Sequence, residues 1–139
     1  MKITSPIVSV GLPITRVYEK LENVALFKEL MPENLSHFAS SEDNASFSFS
    51  LKGMPEIFLE KKKLTPVSEL IYGAPEGKLP FTLRIGLDPK SEAQTEVSYT
   101  FEGEFNPMLA MVVKSPITKL LETMAEKTKT LWKSTKDWC

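Results

Sequence analysis

From about residue 35 onward the apolar side chains fall on every second position, and they do so for about 70 residues. No other feature limits the possible folds as strongly. The segment ASFSFSLKG sets Phe47, Phe49 and Leu51 on one side and Ser46, Ser48 and Ser50 on the other. FTLRIGLDP alternates Phe81, Leu83, Ile85 and Leu87 with Thr82, Arg84, Gly86 and Asp88. QTEVSYTFEGEF sets Val97, Tyr99, Phe101 and Phe105 against Glu96, Ser98, Thr100, Glu102 and Glu104. Strands with one apolar side have one face covered and one wet, as in antiparallel meanders; strands of buried parallel sheets are apolar on both sides. Turn residues, Gly53 with Pro55 and Gly73 with Pro75, separate the runs at hairpin-like intervals. SELIYGAP is a further short strand, whereas EIFLEKKKL is strand-like but clean on neither face, which leaves its register over 56–64 open.

The flanks change period. KITSPIVSV is rich in Ile, Val and Thr and reads as a strand, with Pro6 marking an edge or a bulge. In LPITRVYEKLEN, Pro13 suits a first helical position, Ile14, Val17 and Leu21 share a face, and Asn23 can end the helix. VALFKELMP reads as a second short helix closed by Pro32. The last element starts near Asn106-Pro107, a capping residue followed by proline. Val113, Ile117, Leu120, Met124 and Leu131 then recur at helical spacing, with Thr128 in the gap. About 26 residues at about 1.5 Å each make a helix of roughly 39 Å. Pro116 removes one internal hydrogen bond, but the apolar stripe continues across it, so one kinked helix is expected rather than two.

This order predicts an α+β chain: two short helices after strand 1, then a curved antiparallel sheet of about seven strands in all, wrapped around a long C-terminal helix. Two short helices do not suffice to cover such a sheet, so the long helix is expected to do so. A strongly curved sheet closed on a helix is hard to fill and tends to leave a cavity. The order resembles the START-like superfamily, also called the SRPBCC or helix-grip fold, which includes birch-pollen-type allergens and polyketide cyclases. The resemblance rests on ITSPIVSVGLPITRVYEKLEN and on YTFEGEFNPMLAMVVKSPITKLLETMAEKTKTL. It covers essentially all of 1–139 as one domain, with 133–139 a frayed tail. It implies a hydrophobic or amphipathic small molecule held between helix and sheet; some members are enzymes and some are co-chaperone-like interaction modules.

Strand parity and the helix stripe nominate the wall of such a cavity: Phe47, Phe49, Leu83, Ile85, Val97, Tyr99, Phe101, Val113, Ile117 and Leu120, with Met111 as an adaptable lid. Methionine is unbranched and polarisable, so Met108, Met111 and Met124 can repack around guests of differing shape. Met108 to Val113 is apolar on nearly every face, and 108–113 is equally a candidate for contact with a second copy or a protein partner.

Chemistry-bearing residues are sparse. His37 is the only histidine and has no nucleophile or carboxylate nearby in sequence, so a surface position is expected. Tyr72 and Tyr99 lie in strands, and a buried tyrosine hydroxyl needs a partner. Glu102 and Glu104 share a face with Ser98 and Thr100, hence the wet face, as does Arg84; Glu60 is ambiguous and can point to a cavity mouth. No catalytic residue is nominated. No phosphate loop, nucleophile elbow or zinc-helix motif is present, and one histidine with one cysteine, Cys139, excludes the usual zinc sites, so neither metal nor cofactor is expected. The 17 basic and 18 acidic residues do not segregate, which argues against nucleic acid. The longest apolar run, Met108 to Val113, is too short for stable membrane insertion, and Pro6 and Pro13 break any signal-peptide core, so a cytoplasmic protein is expected. The reading that results is binding or carriage of a small hydrophobic molecule. The alternatives are a polyketide cyclase or dehydratase-like enzyme and a protein-interaction module.

Overall fold

The computed structural model describes residues 2–52, 54–66, 68–77, 80–104 and 107–131, the side chain of Leu131 excepted. Strands β1 (Lys2–Thr4) and β2 (Val8–Val10) precede helix α1 (Ile14–Glu22) and a 3₁₀ helix (Val24–Leu30). Six strands follow: β3 (Leu35–Ser40), β4 (Ser46–Leu51), β5 (Ile57–Thr65), β6 (Glu69–Gly73), β7 (Phe81–Ser91) and β8 (Gln94–Gly103). Helix α2 (Pro107–Leu131) closes the described chain. All strand pairs are antiparallel, in the order β1-β8-β7-β6-β5-β4-β3, with β2 also on β8.

β1 and β2 lie on successive stretches of β8, Ile3 opposite Phe101 and Val8 opposite Val97, so they act as one strand interrupted at Ser5, Pro6 and Ile7. The sheet therefore has seven positions across, as the alternation predicts. Pro6 has no N–H for the ladder, and Ser5 makes good the interruption. Its amide donates to Tyr99 O at 2.8 Å, and its Oγ accepts from Tyr99 N at 3.0 Å.

The helical segment between the strands departs from expectation in type. Val24, Phe27 and Leu30, the buried residues of the second helix, are three apart, which is the period of a 3₁₀ helix rather than an α-helix. Asn23 joins the two: its N–H donates to Lys20 O, closing α1, and its Oδ1 accepts from Ala25 N, opening the 3₁₀ turn. Pro13 stands immediately ahead of α1, where its carbonyl accepts from Arg16 and Val17. The β3–β4 turn pins the junction from outside. Asn44, at φ 61°, accepts from Val24 N at 2.9 Å and donates to Glu22 O at 3.2 Å.

The mixed pattern over 56–64 has a local cause. The β5–β6 register shifts between Lys61 and Lys63, so Lys62 is an extra residue in the ladder and the inward parity changes. Ile57 and Leu59 are buried before the shift and Leu64 packs on the core after it. Gly73 tolerates the bulge because a Cβ there would stand 2.9 Å from Lys62 Cγ.

α2 runs as a single helix through Pro116, with Val113, Ile117, Leu120, Leu121, Met124 and Ala125 no more than 1% exposed. The expectation that this helix alone covers the sheet does not hold. α2 packs on β8, β1, β2 and the 3₁₀ helix, α1 packs on β7 and β8, and the 3₁₀ helix packs on β3 and β4. The short helices suffice because Phe27 reaches across the far strands, stacked on Phe47 at 4.7 Å and edge-on to Tyr72 at 5.4 Å. No helix among the described residues is long and apolar enough to cross a membrane.

Candidate functional site

The inner face of the sheet carries most of the nominated wall. From β7 and β8 it receives Leu83, Ile85, Val97, Tyr99 and Phe101, because residues two apart on a strand point to one side. α2 contributes Val113, Ile117 and Leu120 at helical spacing. None of these eight is more than 2% exposed. Side chains so inaccessible to water leave no water-filled space against them, so the interface is closed in this state.

Its polar groups are bonded within the protein. Thr128 Oγ1 donates to Met124 O at 2.7 Å, so in the 2.6 Å contact between Tyr99 OH and Thr128 the tyrosine donates. Tyr72 OH donates to Leu21 O at 2.6 Å, and Thr95 Oγ1 to Leu12 O at 2.9 Å. Burial pushes the Tyr99 phenol well above its ordinary value. Burial does the same to Tyr72, helped by the negative charge of Glu22. Both hydroxyls stay neutral hydrogen-bond donors rather than proton-transfer groups near neutral pH.

No protein-family model matches the chain, and no curated protein matches its sequence. Solved structures do match. The solution structure of the KanY protein aligns with TM-score 0.73 at 8% identity, over 94% of this chain and 96% of that one. A point mutant of norcoclaurine synthase from Thalictrum flavum, in complex with a transition-state analogue, aligns with TM-score 0.71 at 14% identity, over 94% and 92%. A START superfamily protein from Mycobacterium smegmatis gives 0.62 at 10% identity, over 94% and 98%. The fold is START-like. At these identities the likeness is one of fold: a curled antiparallel sheet gripping a C-terminal helix, with two short helices after the first strand.

Within this START-like frame the nominated residues divide into three groups. Of the eight described above, Val97, Tyr99 and Phe101 lie on β8, on which α2 packs with Val113, Ile117 and Leu120, whereas Leu83 and Ile85 lie on β7, on which α1 packs. Phe47 and Phe49 are buried too, but they belong to the aromatic cluster under the 3₁₀ helix, with Phe27 and Tyr72. Met111 does not join the wall. It is 80% exposed, and Met108 and Val112 beside it are 81% and 51% exposed, while Met124 is buried. The first turns of α2 thus carry an apolar patch on their outer side.

The ambiguous polar residues face outward. His37 Nε2 lies 3.1 Å from Glu56 at the surface of β3, Glu60 pairs with Lys62 at 2.8 Å, and Arg84 pairs with Glu69 at 3.4 Å. Tyr72 and Tyr99 do not converge, since one bonds to the end of α1 and the other to α2. Among the described residues no group of three or more His, Cys, Asp or Glu is placed to hold a metal. Phe105, the Asn106 cap, the Gly53 turn, Cys139 and the 133–139 tail lie outside the described residues, as does the side chain of Leu131. Thr128 is the residue whose importance sequence reasoning missed. Its signal is a lone hydroxyl standing at a core position of the α2 stripe.

Proposed function

We propose that the chain binds or carries a small hydrophobic or amphipathic molecule between the concave face of the sheet and α2, without transforming it. The observation that carries this reading is the lining: leucine, isoleucine, valine and phenylalanine side chains from sheet and helix meet there, and their polar neighbours are already satisfied. In support, norcoclaurine synthase of the same fold forms a complex with dopamine and hydroxybenzaldehyde. Since the interface is closed, a guest enters by displacing α2, and its N-terminal turns are the part that gives. Pro116 removes a backbone bond there, and Met108, Met111 and Val112 lie outside, while Leu109, Ala110 and Val113 are the less exposed side chains of those turns among the described residues. Met111 then serves as a lid by rotating inward over a guest. A ten-carbon chain gains about 8 kcal/mol gross at about 0.8 per methylene. Immobilisation and opening cost several kcal/mol, so a Kd of about 0.1–1 mM is expected for such a chain.

The test is native mass spectrometry of the whole chain after incubation, in reductant, with a cell lipid and metabolite extract. A bound mass released unchanged on denaturation supports carriage. The same mass recovered chemically altered replaces it with the cyclase- or dehydratase-like alternative. A clean ligand-free mass from every extract defeats it. A second reading has one observation in its favour, the exposed Met108, Met111 and Val112. In that reading 108–113 meets a second copy of the chain. Concentration-dependent sedimentation that disappears in M108S/M111S would establish it.

A further inference from the structure

Beside α2, on the flank facing the corner between the 3₁₀ helix and β3, lies an open groove of about 680 Å³. Pro32, Glu33 and Asn34 form one wall, Lys52 stands at the end of the β4 hairpin, and Lys119, Thr123 and Lys127 line the helix side at successive i, i+4 positions. Three ammonium groups against one carboxylate give it a local excess of two positive charges, in a chain whose net charge is −1. Elsewhere Lys62 pairs with Glu60, and Lys90 with Asp88 and Glu96, whereas the groove gathers three lysines around a single carboxylate. Among the described residues none of the three groove lysines is in an ion pair. Lys127 is held in place by donating to Met31 O at 2.6 Å, a neutral acceptor that leaves its charge and two further N–H donors available. Asn34 also lines the groove, and its Oδ1 is buried without a hydrogen-bond partner.

We propose that this groove binds the oxyanion of a small molecule, a carboxylate or a phosphate. The uncompensated lysines supply the charge, the Thr123 hydroxyl adds a donor, and Asn34 Oδ1 offers a neighbouring acceptor to a ligand hydroxyl. Lysine ammoniums act as point charges without a fixed planar fork, so the site selects for negative charge rather than for a planar group. The assignment does not depend on a guest at the α2–sheet interface. The groove nevertheless flanks that interface, since Lys119, Thr123 and Lys127 each precede an inward residue, Leu120, Met124 and Thr128.

The experiment is amide NMR of the whole chain titrated with inorganic phosphate, with decanoate, and with the uncharged decyl maltoside, at low and high sodium chloride. Saturable shifts at Asn34, Lys52, Thr123 and Lys127 with both anions, weakening with salt, are the expected result for a free oxyanion site. The same shifts with decanoate alone assign the oxyanion to an amphipathic ligand. K52Q/K119Q, which alters only exposed side chains, should raise the apparent Kd about tenfold, while the exposed off-groove K63Q changes it less than about twofold. Absence of localised shifts with either anion, or an equal effect of K63Q, overturns the proposal. Decyl maltoside binding in the interface would leave the hydrophobic-carrier reading standing even then.

Discussion

The Tyr99–Thr128 pair predicts a specific non-additivity. Tyr99 is fully buried on β8, its hydroxyl 2.6 Å from Thr128 Oγ1, and Thr128 spends its own proton on Met124 O. Y99F therefore removes a donor but leaves the threonine oxygen still engaged, which should cost about 1 kcal/mol, the net value of a buried hydrogen bond. T128V removes the acceptor and strands a buried phenol, so the unmet desolvation applies and about 2 kcal/mol is expected. In Y99F/T128V nothing polar remains to be satisfied, and the cost should fall back to about 1 kcal/mol, against about 3 if the two were independent. Urea unfolding of the four proteins, with m-values checked for constancy, measures the cycle. A double variant within about 0.5 kcal/mol of the sum would refute the assignment of Tyr99 as donor and Thr128 as its one acceptor.

Three further outcomes follow from the same geometry. Tyr99 and Tyr72 both have phenols raised by burial, so the native state keeps protons that the unfolded chain loses above about pH 10. Stability is thus intact below pH 10 and falls above it by up to about 1.4 kcal/mol per pH unit for each tyrosine, and Y99F should make the slope in urea melts between about pH 10 and 11.5 clearly shallower. At Asn44 the backbone is left-handed and the side chain makes two bonds across the α1–3₁₀ junction. N44A should cost about 2–3 kcal/mol and N44G about 1 kcal/mol less, a difference that vanishes if the strain argument is mistaken. At Gly73 the added Cβ meets the Lys62 stem, so G73A should destabilise the native sequence yet stabilise K62A by about 0.5 kcal/mol, read from thermal midpoints.

What the sequence made legible, and what it did not, divides along one physical line. Period-two alternation reports a face, and it placed Phe81, Leu83, Ile85, Leu87, Val97, Tyr99 and Phe101 inward because each strand sees core on one side only. The α2 stripe was readable for the same reason. Alternation fails wherever an extra residue enters a ladder, and Lys62 hides the register of β5. Nor does a local pattern say which partner covers a face. Val24, Phe27 and Leu30 carry the three-residue period that marks a 3₁₀ helix, but nothing in the segment says that Phe27 will stack on Phe47, contributed by a strand that begins sixteen residues after that helix ends. Met108 and Met111 are the sharper case. An apolar run at a helix start reads as core whichever way it faces, and only the packing of Leu109, Ala110 and Val113 inward leaves the methionines outside.

That last placement, together with the shared cover, bears on the proposed entry of a guest. Were α2 the sole cover, opening the interior would expose the whole concave face and cost most of the core. With α1 holding β7, the 3₁₀ helix holding β3 and β4, and Tyr72 tied to Leu21 O, the far part of the core is expected to stay intact under the proposed opening of α2. The two ends of α2 are also unequal. Its later turns are fastened by Tyr99 to Thr128 and by Lys127 to Met31 O, whereas among the described residues its first turns turn Leu109, Ala110 and Val113 away from solvent ahead of a proline. Opening is therefore expected to begin at the N-terminal end, and hydrogen exchange offers the direct check. Amides of 109–115 should exchange faster than those of 120–128 and should slow when ligand is added. Uniform protection along α2 would mean that the helix moves as one piece or not at all, and that Pro116 does not set where it yields.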